Sequence, residues 1–85
     1  MNYTVLWQPD ALNELAAIWT ESNDRNAVAA ASRRIDLLMA DDPLDVGESR
    51  HTNHRLAFVP PLQVMFRVFA ADSRVEVVAV GLYGK

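Results

Sequence analysis

The chain has 85 residues, of which 51% are hydrophobic and 22% are charged, and its formal net charge is −3. This length supports one domain with one core, and the hydrophobic fraction is too high for a disordered chain. The absence of cysteine excludes disulfides and thiolate metal sites. The acidic balance argues against a generic nucleic-acid binder, because phosphate contacts require a positive surface. With no basic leader and no long apolar run, we expect a cytoplasmic protein without membrane contact.

The charges are unevenly distributed along the chain. All acidic residues except Asp72 and Glu76 precede Ser49. The basic residues that follow Ser49 are Arg50, Arg55, Arg67, Arg74 and Lys85. The acidic first half and the basic second half leave room for a local basic patch on a protein that is acidic as a whole.

The first half of the chain predicts one strand and two helices. Residues 3–7 are β-branched and aromatic, which indicates a strand. Pro9 suits the first turn of a helix that continues to about Glu21. Residues 22–24 can cap a second helix that ends near Ala40, and so short a link predicts an antiparallel helical hairpin. The apolar stripes of the two helices are Leu12, Leu15, Ala16 and Trp19, then Val28, Ala31, Ile35, Leu38 and Met39.

The second half predicts a loop and three strands. Residues 41–53 are polar, contain a proline and a glycine, and predict a loop. Strand-like runs follow at residues 54–59, 62–70 and 74–80. If Phe69 pairs with Arg74, then Arg67 lies opposite Glu76. One face of this pair of strands is then wholly apolar, and the other gains an ion pair worth about 0.2–1 kcal/mol.

The turn at Pro60-Pro61 decides which residues of the first run face the core. An odd-length turn places Leu56 and Phe58 on the core face and leaves Arg55 and Ala57 on the other. The non-core face then also carries Gln63, Met65, Arg67, Phe69, Val78 and Val80. We expect the helical hairpin to cover the apolar face, while a partner covers the mixed one. The predicted fold is α+β with the order β-α-α-β-β-β, a small antiparallel sheet packed on one face by an αα-hairpin, in a single domain over residues 1–85.

In this order, the elements resemble the RelE/ParE superfamily, the toxins of bacterial type II toxin–antitoxin systems, also described as plasmid stabilisation proteins. The first helix of the family commonly carries A-x-x-[DE]-L-x-x-I/L, the second ends in I-x-x-L…P, and a later segment reads R-x-L/I…Y-R-V-I-Y-R-V. The matching residues are Ala11, Glu14, Leu15, Ile18, Ile35, Leu38, Pro43, Arg55 and the segment LQVMFRV. The resemblance covers nearly the whole chain.

The resemblance implies a toxin that a cognate antitoxin neutralises. Its activity would be inhibition of translation by ribosome-dependent mRNA cleavage, as an endoribonuclease of the mRNA interferase type. The alternative within the same superfamily is a protein without nuclease activity, either a DNA gyrase inhibitor or a degenerate toxin that acts as a binding module. A homodimer is a further possibility. No cofactor is expected, and no metal site, because His51 and His54 lack a neighbouring acidic cluster.

Cleavage of RNA by its 2′-hydroxyl requires groups that transfer protons and cations that hold the phosphate. The resemblance assigns the phosphate contact to Arg55 and the orientation of the reacting group to Tyr83, and one of His51 or His54, with His54 the candidate catalytic residue, would shuttle a proton. The basic residue on the family's third strand is replaced by Gln63, which removes a charge. The candidate substrate-binding residues are Arg50, His51, Gln63, Arg67 and Lys85. The structural alternatives are a solvated loop around the histidines, edge packing for Tyr83 and an ion pair with Glu76 for Arg67.

Overall fold

The computed structural model describes residues 2–49 and 54–83. Its helices and strands are β1 (Thr4–Trp7), α1 (Pro9–Glu21), α2 (Arg25–Asp41), β2 (Glu48–Ser49), β3 (His54–Val59), β4 (Leu62–Phe69) and β5 (Arg74–Leu82). The strands form one sheet in the order β1-β5-β4-β3-β2. The predicted fold class is confirmed, with two additions. β1 runs parallel to β5 whereas all other neighbours are antiparallel, and the short β2 forms within the predicted loop.

Local capping explains where the two helices begin. Pro9 occupies the first helical position of α1, where its missing N–H costs no hydrogen bond. The carboxylate of Asp24 accepts a hydrogen bond from Ala27 N at 3.1 Å and caps α2. Arg25 then donates to the carbonyl oxygens of Trp19 and Thr20, which ties the start of α2 to the end of α1. The predicted helical hairpin is therefore held by the residues of its own short link.

The core lies between the helices and one face of the sheet. The buried hydrophobic residues from the helices are Ala11, Val28, Ala31, Ile35 and Met39, and those from the strands are Ala57, Val59, Leu62, Val64, Phe66, Val75, Val77 and Val80. Trp7 packs at the edge of this core, and its Nε1 donates a hydrogen bond of 2.7 Å to Asp36 on α2. The first strand is therefore joined both to β5 and to the helical layer.

The apolar stripe predicted for α1 is wrong in its direction. Ala11 is fully buried, and Leu15 and Ile18 pack against the core. Leu12 and Trp19, which share the predicted stripe, remain 50% and 44% exposed. The apolar arc of α1 is wider than the part that the sheet can cover, so one side of the helix keeps an apolar surface in solvent.

The predicted facing of β3 is also wrong. Pro60-Pro61 forms a two-residue turn, and Val59 pairs with Leu62. Ala57 and Val59 therefore face the core, whereas Phe58 lies on the opposite face and is 42% exposed. Both faces of this strand carry apolar residues, so alternation alone does not distinguish them. The small side chain of Ala57 suits the face on which α2 packs closely.

The β4–β5 register follows the prediction from Phe69 to Phe66 and then shifts. Arg67 lies opposite Glu76 as predicted, but a bulge at Val78 makes Met65 pair with Ala79. One extra residue reverses the facing of the remainder of β5, so Val80 is buried on the core face and not outward as predicted. Past this point β1 no longer covers the edge of β5, and Glu14 of α1 accepts a hydrogen bond from Val80 N at 2.8 Å.

Candidate functional site

The face of the sheet that the helices leave uncovered is called the outer face. The register and the alternating burial place on it His54, Leu56, Phe58, Gln63, Met65, Arg67, Phe69, Arg74, Glu76, Ala79 and Gly81, with Leu6 at the β1 edge. The outer face combines apolar side chains with two arginines. In an ordinary antiparallel sheet, the residues of each strand alternate between apolar side chains on the core face and polar side chains on the solvated face. The outer face differs from this pattern because many of its side chains are apolar.

One end of the outer face carries a charged cluster around Phe69. The guanidinium groups of Arg67 and Arg74 lie 5.0 Å and 4.4 Å from the centre of the Phe69 ring. Arg74 Nε lies 3.2 Å from Glu76 Oε2, and Gln8 donates to Glu76 Oε1 at 2.9 Å. The Glu76 carboxylate is thus engaged on both oxygens, and the predicted ion pair between Arg67 and Glu76 does not form.

The other end of the outer face is aromatic. The rings of Phe58 and Tyr83 are 4.7 Å apart, and Tyr83 is 46% exposed. The backbone N of Tyr83 donates to Pro61 O at 2.8 Å, which fixes the chain end of β5 beside the turn. The amide of Gln63 lies over Gly81, since a Cβ at that glycine would be 3.3 Å from Gln63 Nε2. Tyr83 therefore packs against Phe58 at the ends of the strands, while nearly half of its surface stays exposed.

Arg55 does not lie on the outer face. It pairs with Phe66, which is fully buried on the core face. Its Nε donates to Val46 O at 3.1 Å, and one terminal nitrogen donates to Gly47 O at 3.2 Å. These bonds direct the guanidinium to the loop after α2. Arg55 is thus separated by the sheet from Gln63 and Arg67, with which sequence reasoning grouped it.

The three predicted catalytic residues are not brought together. His54 begins β3 directly opposite Arg67 on the outer face, and Tyr83 lies beside Phe58, four residues further along β3. At about 3.4 Å per residue this separation is about 14 Å along the strand. Arg55 points away from both. Among the predicted substrate-binding residues, Gln63 and Arg67 share the outer face, while Arg50, His51 and Lys85 lie outside the described residues.

An apolar groove runs between the two helices. It has a volume of about 540 Å³. Its lining residues are Leu12, Leu15, Ala16, Trp19, Thr20, Val28, Ala29 and Ser32. Arg25 stacks on Trp19 with its guanidinium 4.7 Å from the ring, so the indole is held at one end of the groove. Sequence reasoning missed this groove, although the apolar arc of α1, which is wider than a core contact needs, is the pattern that marks it.

The described residues offer neither a metal-ligand cluster nor a membrane-spanning helix. Within residues 2–49 and 54–83, no three histidine, aspartate or glutamate side chains form a group that could hold a metal ion. None of the helices described is long and apolar enough to span a membrane.

The sequence matches no protein-family model and no curated protein sequence. Solved structures are similar in fold. A chain of the toxin–antitoxin complex RelBE2 from Mycobacterium tuberculosis superposes with a TM-score of 0.81 at 19% identity, over 100% of this chain and 95% of that one. A chain of the ParDE system from P. aeruginosa gives 0.72 at 16% identity, over 94% and 95%.

The isolated E. coli RelE toxin gives a TM-score of 0.68 at 13% identity, over 98% of this chain and 86% of that one. These similarities extend over both helices and the sheet, so they concern the whole architecture and not one motif. The resemblance predicted from the order of the elements is confirmed at the level of the fold. The chain has the fold of the RelE and ParE toxins.

Proposed function

We propose that this chain is the toxin of a type II toxin–antitoxin pair, and that it acts by binding its target through the outer face without cutting RNA. The fold it shares with RelE and with chains of the RelBE2 and ParDE complexes supports the first part. The single observation that carries the second part is the composition of the outer face. It mixes apolar side chains with charged ones, and the predicted catalytic residues stand apart on it or behind it.

The target in this proposal is DNA gyrase, which the ParE branch of the resemblance implies. Gyrase inhibition does not require phosphate-binding cations or a proton-transfer pair. The outer face presents apolar side chains on three neighbouring strands, among them Leu56, Met65 and Ala79, in one cross-strand row. Such a row suits a protein surface, since burying exposed apolar area stabilises a complex.

The antitoxin is expected to cover surface that the isolated chain leaves open. Both the outer face and the helical groove expose large apolar side chains, including Phe58 at 42% and Trp19 at 44%. Two exposed apolar surfaces on one chain are typical of a protein that another protein binds and covers.

Ribosome-dependent mRNA cleavage is the second candidate function, and one observation favours it. His54 lies directly opposite Arg67, which places a proton-transfer group beside a cation on an accessible face. In this mechanism His54 would accept or donate the proton and Arg67 would hold the phosphate.

A growth experiment tests the proposal. The chain is induced in bacteria alone, and then together with the small protein encoded by the adjacent gene. We expect growth arrest that the neighbouring protein relieves, induction of a DNA-damage reporter, and no codon-linked cuts in mRNA by primer extension. The absence of both toxicity and a complex with the neighbouring protein would refute the toxin assignment.

The variant His54→Gln distinguishes the two mechanisms. Growth arrest should persist in this variant if the chain acts by binding alone. A nuclease that uses the imidazole for proton transfer would lose about 10²–10⁴-fold in cleavage rate. Arg34→Gln, on the exposed side of α2, is the matched control and should behave as the wild type. Codon-linked cuts that disappear in His54→Gln would establish the second candidate instead.

A further inference from the structure

Arg67 is a cation without a carboxylate partner on the outer face. It lies opposite Glu76 in the β4–β5 register, the position from which a cross-strand ion pair normally forms. The Glu76 carboxylate is instead held by Arg74 at 3.2 Å and by Gln8 at 2.9 Å. Within the described residues no other acidic group pairs with Arg67. Among the described residues, the charge of Arg67 therefore has no opposite charge paired with it.

The guanidinium of Arg67 is also partly desolvated and held in place. The residue is half-buried, and its Nε is shielded from solvent with no acceptor among the described residues. Its guanidinium lies 5.0 Å from the Phe69 ring, which fixes the plane of the group. A planar, pre-oriented fork of donors matches an oxyanion that can accept two parallel hydrogen bonds. An incoming oxyanion would therefore meet an arginine that has already lost part of its hydration.

The neighbours of Arg67 indicate what carries this oxyanion. Met65 lies two residues earlier on the same face, and Leu6 on β1 is 48% exposed beyond Glu76. Arg74, the other arginine of the outer face, is already paired with Asp72 and Glu76. A nucleic acid needs several free cations along its phosphates. Across the sheet Arg67 lies between His54 and Glu76, and along its own strand it lies between Met65 and Phe69. A single arginine without an acidic partner among the described residues, next to apolar side chains of its own strand, suits one carboxylate flanked by apolar residues.

We infer that the outer face receives an acidic, apolar segment of the antitoxin, whose aspartate or glutamate carboxylate binds the guanidinium of Arg67. This inference rests on the proposed function and adds the contact through which the partner is recognised. The apolar residues of the segment contact Met65, two residues before Arg67 on β4, and Leu56, which pairs with Met65 on β3. Because this contact covers the outer face, the antitoxin and the target compete for the same surface.

The test measures the affinity of the chain for the protein encoded by the adjacent gene, by titration calorimetry. We expect Arg67→Gln to weaken the complex by about 10- to 100-fold, since truncating one side of a desolvated ion pair has this order of effect. Arg34→Gln removes an equal charge from the exposed side of α2 and should stay within about threefold of the wild type. Equal affinity of wild type and Arg67→Gln overturns the inference.

Two further measurements keep the inference falsifiable if Arg67→Gln folds poorly. In the wild-type protein the Nε–H resonance of Arg67 should shift when the neighbouring protein is added, and a resonance that does not move refutes the contact. The variant Arg67→Lys keeps the charge but loses the planar fork of donors, so it should bind the neighbouring protein more weakly than Arg34→Gln does, and equal affinity of these two variants refutes the contact.

A single-stranded octauridylate tests the competing ligand. If octauridylate binds and Arg67→Gln abolishes that binding while the neighbouring protein still binds normally, Arg67 serves RNA and the inference is wrong. Suppose that the neighbouring protein relieves the toxicity of wild type and Arg67→Gln equally and binds both with equal affinity. The proposed function is then supported, and the contact with Arg67 is refuted. If the neighbouring protein forms no complex and the chain is not toxic, both fall together.

Discussion

Glu14 is the clearest case of a single side chain that completes the fold. It lies on α1, and its Oε1 accepts the hydrogen bond from Val80 N at 2.8 Å. Val80 follows the bulge at Val78, on the part of β5 that β1 does not reach. Without an acceptor, the backbone N–H of Val80 would be left without a hydrogen bond beneath α1, and an unpaired buried N–H destabilises the folded state. Glu14, a residue of the motif that the resemblance uses, therefore has a structural role in joining α1 to β5.

We expect Glu14→Ala to lower the free energy of unfolding by about 1 kcal/mol, because the Val80 amide loses its acceptor. Glu14→Gln keeps a carbonyl oxygen at this position and should cost less than half as much. The measurement is urea denaturation followed by circular dichroism. Glu21→Ala, an exposed position on the same helix, is the control for the loss of charge. Equal destabilisation by Glu14→Ala and Glu21→Ala would contradict the role of this hydrogen bond.

At the same scale, the candidate site shows the limit of sequence reasoning. The presence of Gln63 and Arg67 on one face follows from strand alternation alone, and the structure agrees. The facing of Arg55 depends on whether the turn before β4 has two residues or three, and the sequence does not determine this. The engagement of Glu76 by Gln8 joins residues 68 positions apart, so no local pattern could reveal that Arg67 is left unpaired.

At the scale of elements, Gly47 holds the chain where β2 meets β3. Its φ is +73°, and a Cβ at this position would lie 2.3 Å from the carbonyl oxygen of Leu56. The backbone conformation and the close approach therefore both require glycine. Through this contact the loop after α2 reaches β3, where Arg55 donates to the carbonyl oxygens of Val46 and Gly47.

We expect Gly47→Ala to lower the free energy of unfolding by about 2–4 kcal/mol, since a left-handed conformation costs about 1–2 kcal/mol and the clash with a backbone oxygen adds strain. Gly81→Ala is the matched control. Its Cβ would meet only the end of the flexible Gln63 side chain at 3.3 Å, so we expect a change of about 1 kcal/mol or less. Chemical denaturation of both variants is the measurement. A larger loss in Gly81→Ala would refute this account.

The elements themselves were largely predictable, whereas their facing was not. The starts of α1, β4 and β5 follow from Pro9, from the Pro60-Pro61 break and from the polar residues around Asp72, because capping and breaking residues act locally. The parallel pairing of β1 with β5 and the bulge at Val78 are tertiary outcomes. The pairing and the bulge depend on which strand packs under α1, and no nearby residue in the sequence predicts either of them.

At the scale of the whole molecule, the sheet separates two exposed apolar surfaces. The outer face carries Phe58 beside Tyr83, and the helical groove on the far side carries Trp19 beside Leu12. Each surface is independent of the other, because no side chain is shared between them. A partner that wraps around the chain could therefore cover both, while a flat partner could cover only one.

We expect the isolated chain to bind a hydrophobic fluorescent dye, and we expect Phe58→Ser and Trp19→Ser each to lower this binding. The two effects should add in the double variant, because changes on separate surfaces are independent. Leu37→Ser is the control, since Leu37 is 72% exposed but stands alone on α2. Dye fluorescence at equal concentrations of folded protein is the readout. A double variant no different from Phe58→Ser would show that the groove does not bind the dye.

The position of β5 has a consequence for how the protein is made. This strand lies inside the sheet, between β1 and β4, yet it is synthesised after the other four described strands. The first strand therefore has no pairing partner until β5 has been synthesised, and closing so long a loop makes folding slow. A nascent chain interrupted before Arg74 would have neither a finished core nor an ordered outer face. Under the proposed function, the cell that produces this protein is therefore not exposed to its effect before β5 has been translated.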